Sequence, residues 1–170
     1  MSDADCTALP VNAGLIKGSP LGEELTDAQC ELLAGVMSAC GIKDCSWLIQ
    51  EGHKDDCLYV LVKGNLEAVA HAASGEPIGL HILRAGDILG ALGFLDGVEH
   101  SASLRAMGNC ELLRLERTAL EGLLDQDRDL VYKVMRAIVR NVHRILRNMN
   151  FQQVELTRYI ERQNECYKKC

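Results

Sequence analysis

The sequence predicts a mainly β domain, a sandwich or barrel of short strands, with a short helix before it and a long helix after it. Between residues 42 and 115, short apolar runs alternate with turn residues. Before that region a helix-capping pattern precedes a helical apolar period, and from residue 127 to 165 a helical period continues without Gly or Pro. A length of 170 residues with 48% hydrophobic residues suits one domain with an appended helix.

The chain begins with a segment that we expect to be a flexible arm, residues 1–20, because its turn formers follow no sustained period. Thr26 and Gln29 then have the spacing of a capping box, which predicts a helix that runs to about residue 40. Gly41 fits its C-terminal stop. The apolar side of this helix is formed by Leu25, Leu32, Leu33, Val36, Met37 and Cys40.

The predicted β domain, 21–126 with its leading helix, contains at least six strands. These runs are Trp47 to Gln50, Leu58 to Val62, Leu66 to His71, Ile78 to Leu83, Ser101 to Ala106 and Cys110 to Leu115. The turns between them are centred on Glu51-Gly52, Lys63-Gly64-Asn65, Ser74-Gly75-Glu76, Ala85-Gly86-Asp87 and Met107-Gly108-Asn109. We expect Gly64 and Gly86 to have positive φ. A short helix, Thr118 to Leu124, follows the last strand.

A long helix is predicted over 127–165, followed by a tail at 166–170. Apolar residues step by four and three along it, which is a heptad seam, and Leu156 extends the seam after Gln152. A stripe this narrow predicts a homodimer through the helix, and packing on the chain's own barrel stays an alternative. The seam residues are Val131, Met135, Ile138, Val142, Ile145 and Met149.

Charge and cysteine content exclude several classes of protein. The net charge is −6, yet residues 127–170 hold ten Lys or Arg against five Asp or Glu, so an acidic body carries a basic helix. Aromatic residues make up only 4%, which argues against stacking platforms for nucleic acid. The apolar runs are too short to span a bilayer. Eight cysteines without a targeting segment predict reduced thiols and a cytoplasmic protein.

Two segments carry a family resemblance. The first is WLIQEGHKDDCLYVLVKGNLEA, from Trp47, and the second is RAGDILGALGFLDGVEHSASLRA, from Arg84. Their order between two helices resembles the cyclic nucleotide-binding domain of the catabolite-activator and fumarate-nitrate-regulator type, over about residues 20–150. The resemblance implies a jelly-roll β-barrel with a phosphate-binding cassette. It also implies that the final helix closes over the pocket.

The cassette departs from the family at its two strongest ligand contacts. The resemblance implies a Glu for the ribose hydroxyl and an Arg for the cyclic phosphate, and this sequence has Ala91 and His100 there. We therefore expect weak binding of ordinary cyclic AMP. His100 is either a residue of an exposed hairpin turn or, with Ser101 and Ser103, part of a weak anion cradle. The residues assigned to the site are Gly90, Ala91, Leu92, His100, Ser101, Ala102, Ser103, Arg140 and Arg144.

These features predict a stand-alone regulatory module that is dimeric and acts through a partner protein, with a cyclic nucleotide or another small anion as its candidate ligand. The chain ends before a helix-turn-helix domain, so we expect no sequence-specific DNA binding. No nucleophile-base set and no zinc-type Cys/His spacing is present, so we expect neither catalysis nor a metal site. The alternatives are a ligand-free interaction scaffold, or a thiol or heme redox sensor that uses cysteines such as Cys166 and Cys170.

Overall fold

The computed structural model describes residues 5–7, 11–71 and 76–167, and in that part of the chain the main element is one antiparallel sheet. Its strands are β1 (Asp5–Thr7), β2 (Met37–Ile42), β3 (Trp47–Ile49), β4 (Cys57–His71), β5 (Pro77–Arg84), β6 (Ile88–Leu89) and β7 (Ser103–Glu116). The strand order is β1-β2-β7-β4-β5, with β3 paired to β7 and β6 paired to β4. The predicted mainly β domain is confirmed.

Helices precede and follow the strands along the chain, and one lies between β6 and β7. They are α1 (Ala13–Lys17), α2 (Asp27–Ala34), α3 (Ala91–Asp96), α4 (Arg117–Glu121) and α5 (Arg128–Tyr167). The first differs from the flexible arm predicted over residues 1–20. Gly14 N donates to Oδ1 of Asn12 at 2.7 Å, which caps α1, and Ile16 is completely buried. The Asn12 cap and the buried Ile16 side chain therefore order α1, although the sequence around it shows no helical periodicity.

The predicted helix to residue 40 is wrong in its second half. The capping box of Thr26 and Gln29 is confirmed, but α2 ends at Ala34 and the following residues enter β2. Met37 and Cys40 lie opposite Leu115 and Leu112 of β7. An apolar pair three residues apart fits the helical period, but the backbone partners in β7 place both residues in a strand. Gly41 is inside β2 and does not stop a helix.

Two predicted turns are bends inside long strands. Lys63-Gly64-Asn65 lies within β4, Met107-Gly108-Asn109 lies within β7, and the register between these strands shifts between Leu61 and Asn65. The two irregularities face each other, so both strands bend and continue. Gly64 has φ +92°, as predicted, and a Cβ there would lie 2.7 Å from the Asn109 carbonyl oxygen. Gly86 has φ +94°. Ser74 and Gly75 of another predicted turn, and residues 168–170, lie outside the described residues.

The barrel core contains several cysteines among its aliphatic side chains. Burial raises the pKa of the Cys30, Cys57 and Cys110 thiols, so these side chains are neutral at pH 7. Among the described side chains these three and Cys45 are free. Cys40 is disulfide-bonded, so it departs from the predicted reduced state.

The chain divides into two compact units, residues 1–138 and 139–170. The boundary lies beyond the predicted one at 126, because the first turns of α5 belong to the first unit, where Leu130, Val134 and Ile138 are completely buried. Gln29 attaches the start of α5 to α2, since its Nε2 donates to Oδ2 of Asp127 and Oδ2 of Asp129, each at 3.0 Å. Oε1 of the same side chain accepts from Lys133.

Candidate functional site

The predicted cassette is built around α3 and the segment that leads from it to β7. Gly90 precedes α3 with φ +74°, and a Cβ there would lie 2.6 Å from the Cys57 carbonyl oxygen. Only glycine meets both conditions without strain. Gly90 offers no side chain to cap the first turn of α3. Phe94, which is 2% exposed, anchors the helix in the core.

His100 points inward, so the predicted alternative of an exposed hairpin residue is wrong. Its side chain is only 9% exposed, and Nε2 lies 3.2 Å from Oδ1 of Asp55. The ring is not aligned for a hydrogen bond, so the contact is an ion pair when the ring is protonated. The His100 backbone exchanges hydrogen bonds with Gly52 and His53, which fixes the residue in place.

Gly93 makes room for that ring. A Cβ at Gly93 would lie 3.0 Å from Cε1 of His100 and 3.2 Å from the Asp55 carbonyl oxygen. The imidazole therefore occupies the space beside α3 that a larger residue at this position would need. The cassette helix and His100 are packed as one group.

Asp55 is the acceptor at the centre of this group. Burial raises the pKa of its carboxyl, but the His100 ring, the Cys57 N–H and the Tyr59 hydroxyl together outweigh burial and hold the pKa below its usual value. The Cys57 N–H donates to Oδ1 at 3.2 Å, and the Tyr59 hydroxyl donates to Oδ2 at 3.3 Å. The carboxylate is thus ionised at neutral pH and paired inside the protein.

Arg117 forms a second ion pair beside α3. Its Nη2 contacts Oδ1 of Asp56 and donates to the Gly93 carbonyl oxygen at 3.1 Å. Its Nε is buried without a hydrogen-bond partner. Asp56 and Arg117 are adjacent because β4 and β7 pair Cys57 with Glu116, one residue further on. We did not predict this pair, and only the strand register brings these distant positions together.

The remaining predicted cassette residues are dispersed. Ala91 is buried and Leu92 is 54% exposed. Ser101 is exposed and Ala102 is half-buried. Ser103 is buried, and its Oγ accepts from the Glu51 N–H at 2.9 Å. The structure packs His100 against Gly93 of α3, the helix that begins at Ala91, while Ser103 is used inside the fold and not as part of an open anion cradle.

The two arginines predicted to close over the pocket lie in the second unit. Arg140 and Arg144 are both exposed, and Arg144 donates to Oδ1 of Asn141 one turn earlier at 2.8 Å. Their role toward the cassette stays a prediction.

The predicted dimer seam is buried in the single chain at its start and exposed toward its end. Val131 and Ile138 are buried within the first unit, where the alternative of packing inside the chain applies. Met135 and Val142 are half-buried. Ile145 and Met149 are exposed. The seam is therefore available to a partner only from Val142 onward.

The described residues contain neither a metal-binding cluster nor a helix that could span a membrane. No group of three or more His, Cys, Asp or Glu side chains is placed to hold a metal ion within ranges 5–7, 11–71 and 76–167. In the same part of the chain, no helix combines the length and apolarity needed to cross a bilayer.

The Asp55 carboxylate makes folding sensitive to acid. A carboxyl whose pKa is lower in the folded state stabilises the fold above its unfolded pKa of about 3.9, and this contribution is lost as pH falls through the folded pKa. We expect Asp55→Asn to cost about 1–3 kcal/mol at pH 7, where the variant lacks the charged acceptor. The cost should shrink below about pH 4. Urea unfolding followed by circular dichroism at several pH values measures both effects.

Glu99→Gln is the matched control, because the Glu99 side chain is 63% exposed and its ion pair with Lys54 is long at 4.0 Å and therefore weak. Its unfolding free energy should change by less than about 0.5 kcal/mol at any pH. A pH-independent cost for Asp55→Asn would show that its charge plays no part.

Comparisons with known proteins agree with this geometry. Residues 42–127 match the profile of the family described as cyclic nucleotide-binding domain. The chain is 30% identical over 126 residues to the cAMP-activated global transcriptional regulator CRP of Salmonella typhimurium, which covers 72% of this chain and 59% of that protein. The chain thus spans less than two thirds of the curated relative.

Solved structures establish the fold. A cyclic nucleotide-binding domain from Methylobacillus flagellatus is 19% identical, covers 89% of both chains and has a TM-score of 0.81. The regulatory subunit of a cAMP-independent protein kinase A from Trypanosoma cruzi, bound to guanosine, is 23% identical, with a TM-score of 0.61 over 73% of this chain and 43% of that one. The predicted jelly-roll type, with a long C-terminal helix, is confirmed.

Proposed function

We propose a function on the premise that the chain belongs to the cyclic nucleotide-binding domain family, whose profile matches residues 42–127. In our proposal it is a regulatory module whose cassette no longer holds an ordinary cyclic nucleotide. It forms a homodimer through α5 and acts on a partner protein. The observation that carries the proposal is the inward His100 ring, 9% exposed and paired with Asp55.

The electrostatics of the cassette support this proposal. A cyclic phosphate needs a cation that is free to face it, but the two basic side chains described beside α3 already contact carboxylates, His100 with Asp55 and Arg117 with Asp56. Binding an anion would require breaking one of these pairs and leaving a carboxylate near the phosphate. Ala91 supplies no acceptor for a ribose hydroxyl. Each lost charged contact removes a few kcal/mol of affinity.

The exposed seam residues of α5 beyond Val142 support regulation through contact with a partner protein. Ile145 and Met149 are 41% and 57% exposed, and they lie on the predicted seam. Large apolar side chains repeated along one helix face are typical of interaction surfaces. A partner that prefers one arrangement of α5 shifts the population toward that arrangement, which is sufficient for regulation.

Calorimetry with cyclic AMP, cyclic GMP and guanosine tests the cassette, guanosine being included because the Trypanosoma cruzi relative is bound to it. We expect the unmodified chain to bind the cyclic nucleotides with Kd above about 1 mM. The double change Ala91→Glu with His100→Arg restores a hydroxyl acceptor and a fixed cation. It should lower the Kd for cyclic AMP by at least about 100-fold, which corresponds to ~2.7 kcal/mol.

The matched control is Ala91→Gln with His100→Gln, which changes size at both positions without adding charge. Thermal unfolding of each variant establishes that the barrel is intact, since Ala91 is only 7% exposed. Micromolar binding of a cyclic nucleotide by the unmodified chain would contradict the proposal. Equal binding by the Gln variant and by the Glu/Arg variant would show that the two positions are wrongly assigned.

A further inference from the structure

The second unit presents an apolar face that is wider than a two-stranded coiled coil needs. In the heptad set by the seam, Ile145 is at d and Met149 is at a, the two positions that a helix pair buries. A third column, at e, is also apolar. Its described apolar members, Val139, Leu146 and Ile160, are 58%, 52% and 50% exposed, and they recur at intervals of seven or fourteen residues.

A strict a/d stripe is the signature of a two-helix seam, whereas a face with a, d and e apolar belongs to a helix that packs in a bundle. A dimer through a and d leaves the e column at the edge of its interface, and much of that column stays in contact with water. The apolar e column therefore differs from the polar e positions that flank the interface of an ordinary coiled-coil dimer.

The charges along this helix favour a second copy of the same chain as the occupant. From residue 130 to 154 there is no Asp or Glu, but the cations Arg140, Arg144 and Arg147 lie at f, c and f, away from the apolar face. The g column carries neutral Asn141 and Asn148. Like charges at e and g are what keep identical helices apart. The e column of the proposed segment carries no charge, and its g column carries one acidic and one basic residue, Glu155 and Arg162, beyond residue 154.

One pair of polar residues interrupts the apolar face formed by the a, d and e positions. Gln152 and Gln153 occupy d and e of the same heptad, and both are exposed in the single chain. A polar residue at a core position fixes the register and number of helices, because its hydrogen bonds can be satisfied in only one alignment. In a parallel, in-register bundle of identical chains these amides meet at one level.

We propose that the segment from Val139 to Arg162 assembles as a bundle of four copies, in which two dimers that pair through a and d associate through the e column. The inference rests on the proposed function only in using the same helix for the dimer. It adds a second contact line, and it assigns that line to this chain's own copies.

Sedimentation equilibrium of the full chain over a range of concentrations tests the proposal. The expected mass is four times the 18.7 kDa of one chain. Leu146→Ala with Ile160→Ala removes the e contacts without weakening the helix, because alanine is the strongest helix former. We expect this variant to sediment as a dimer, with the tetramer–dimer dissociation constant raised at least about 100-fold. Ile145→Ala with Met149→Ala should weaken the dimer as well.

The matched control is Phe151→Ala with Val154→Ala, because these residues are 69% and 48% exposed but lie at c and f. It should remain a tetramer. A tetramer that survives Leu146→Ala with Ile160→Ala, or that is lost equally in the control, overturns the proposal. An unmodified chain that is dimeric at every concentration overturns the tetramer and leaves the proposed dimer standing, whereas a monomer overturns both.

Discussion

Phe94→Ala is expected to lower the free energy of unfolding by about 3–5 kcal/mol. Phe94 is 2% exposed and is the largest completely buried side chain of α3. Truncation removes most of its buried apolar surface and leaves a cavity between the cassette helix and the barrel. Urea unfolding followed by circular dichroism measures the change.

Leu92→Ala provides the control within the same helix. Leu92 is 54% exposed, so its loss should cost less than about 0.5 kcal/mol. If both substitutions cost the same, α3 does not pack on the barrel through Phe94. If neither matters, the cassette helix is not part of the cooperative fold at all.

Gly90→Ala is the second substitution with a large expected effect. The backbone at Gly90 has φ +74°, which costs an alanine about 1–2 kcal/mol. The new methyl group would also lie 2.6 Å from the Cys57 carbonyl oxygen, so backbone must move, and such overpacking costs about 1–3 kcal/mol more. We expect a total loss of about 2–5 kcal/mol, measured by urea unfolding.

Gly86→Ala separates the two causes. Gly86 has φ +94°, but a Cβ there meets nothing within 4 Å. This variant should show only the backbone cost of about 1–2 kcal/mol. Equal losses at Gly86 and Gly90 would mean that the close approach to Cys57 contributes nothing.

Local signals in the sequence were sufficient for most of the fold. The capping box at Thr26, the positive φ of Gly64 and Gly86, and the uninterrupted helical period of α5 each depend on a few neighbouring residues. The end of α2 does not. Met37 and Cys40 continue the helical period, and only their partners Leu115 and Leu112 across the sheet assign them to β2.

In the candidate site, too, some residues could be predicted from a local motif, whereas their partners could not. Gly90, Ala91 and His100 are found from a contiguous motif, because the family cassette is a short stretch of chain. The partners of His100 and Arg117 are Asp55 and Asp56, which are 45 and 61 positions away along the chain. No periodicity connects such positions. Asp56 and Arg117 meet because β4 pairs with β7 in a register that starts with Cys57 opposite Glu116. His100 is held beside Asp55 by backbone hydrogen bonds to Gly52 and His53.

The attachment of α5 to α2 has a mechanical consequence. Gln29 is 6% exposed. Its amide nitrogen donates hydrogen bonds to Asp127 and Asp129, and its amide oxygen accepts one from Lys133. A small tilt of the helix base cannot release one of these groups and keep the geometry of the others. We therefore expect the start of α5 and α2 to move as one body, because separating them would break these hydrogen bonds of one buried amide together.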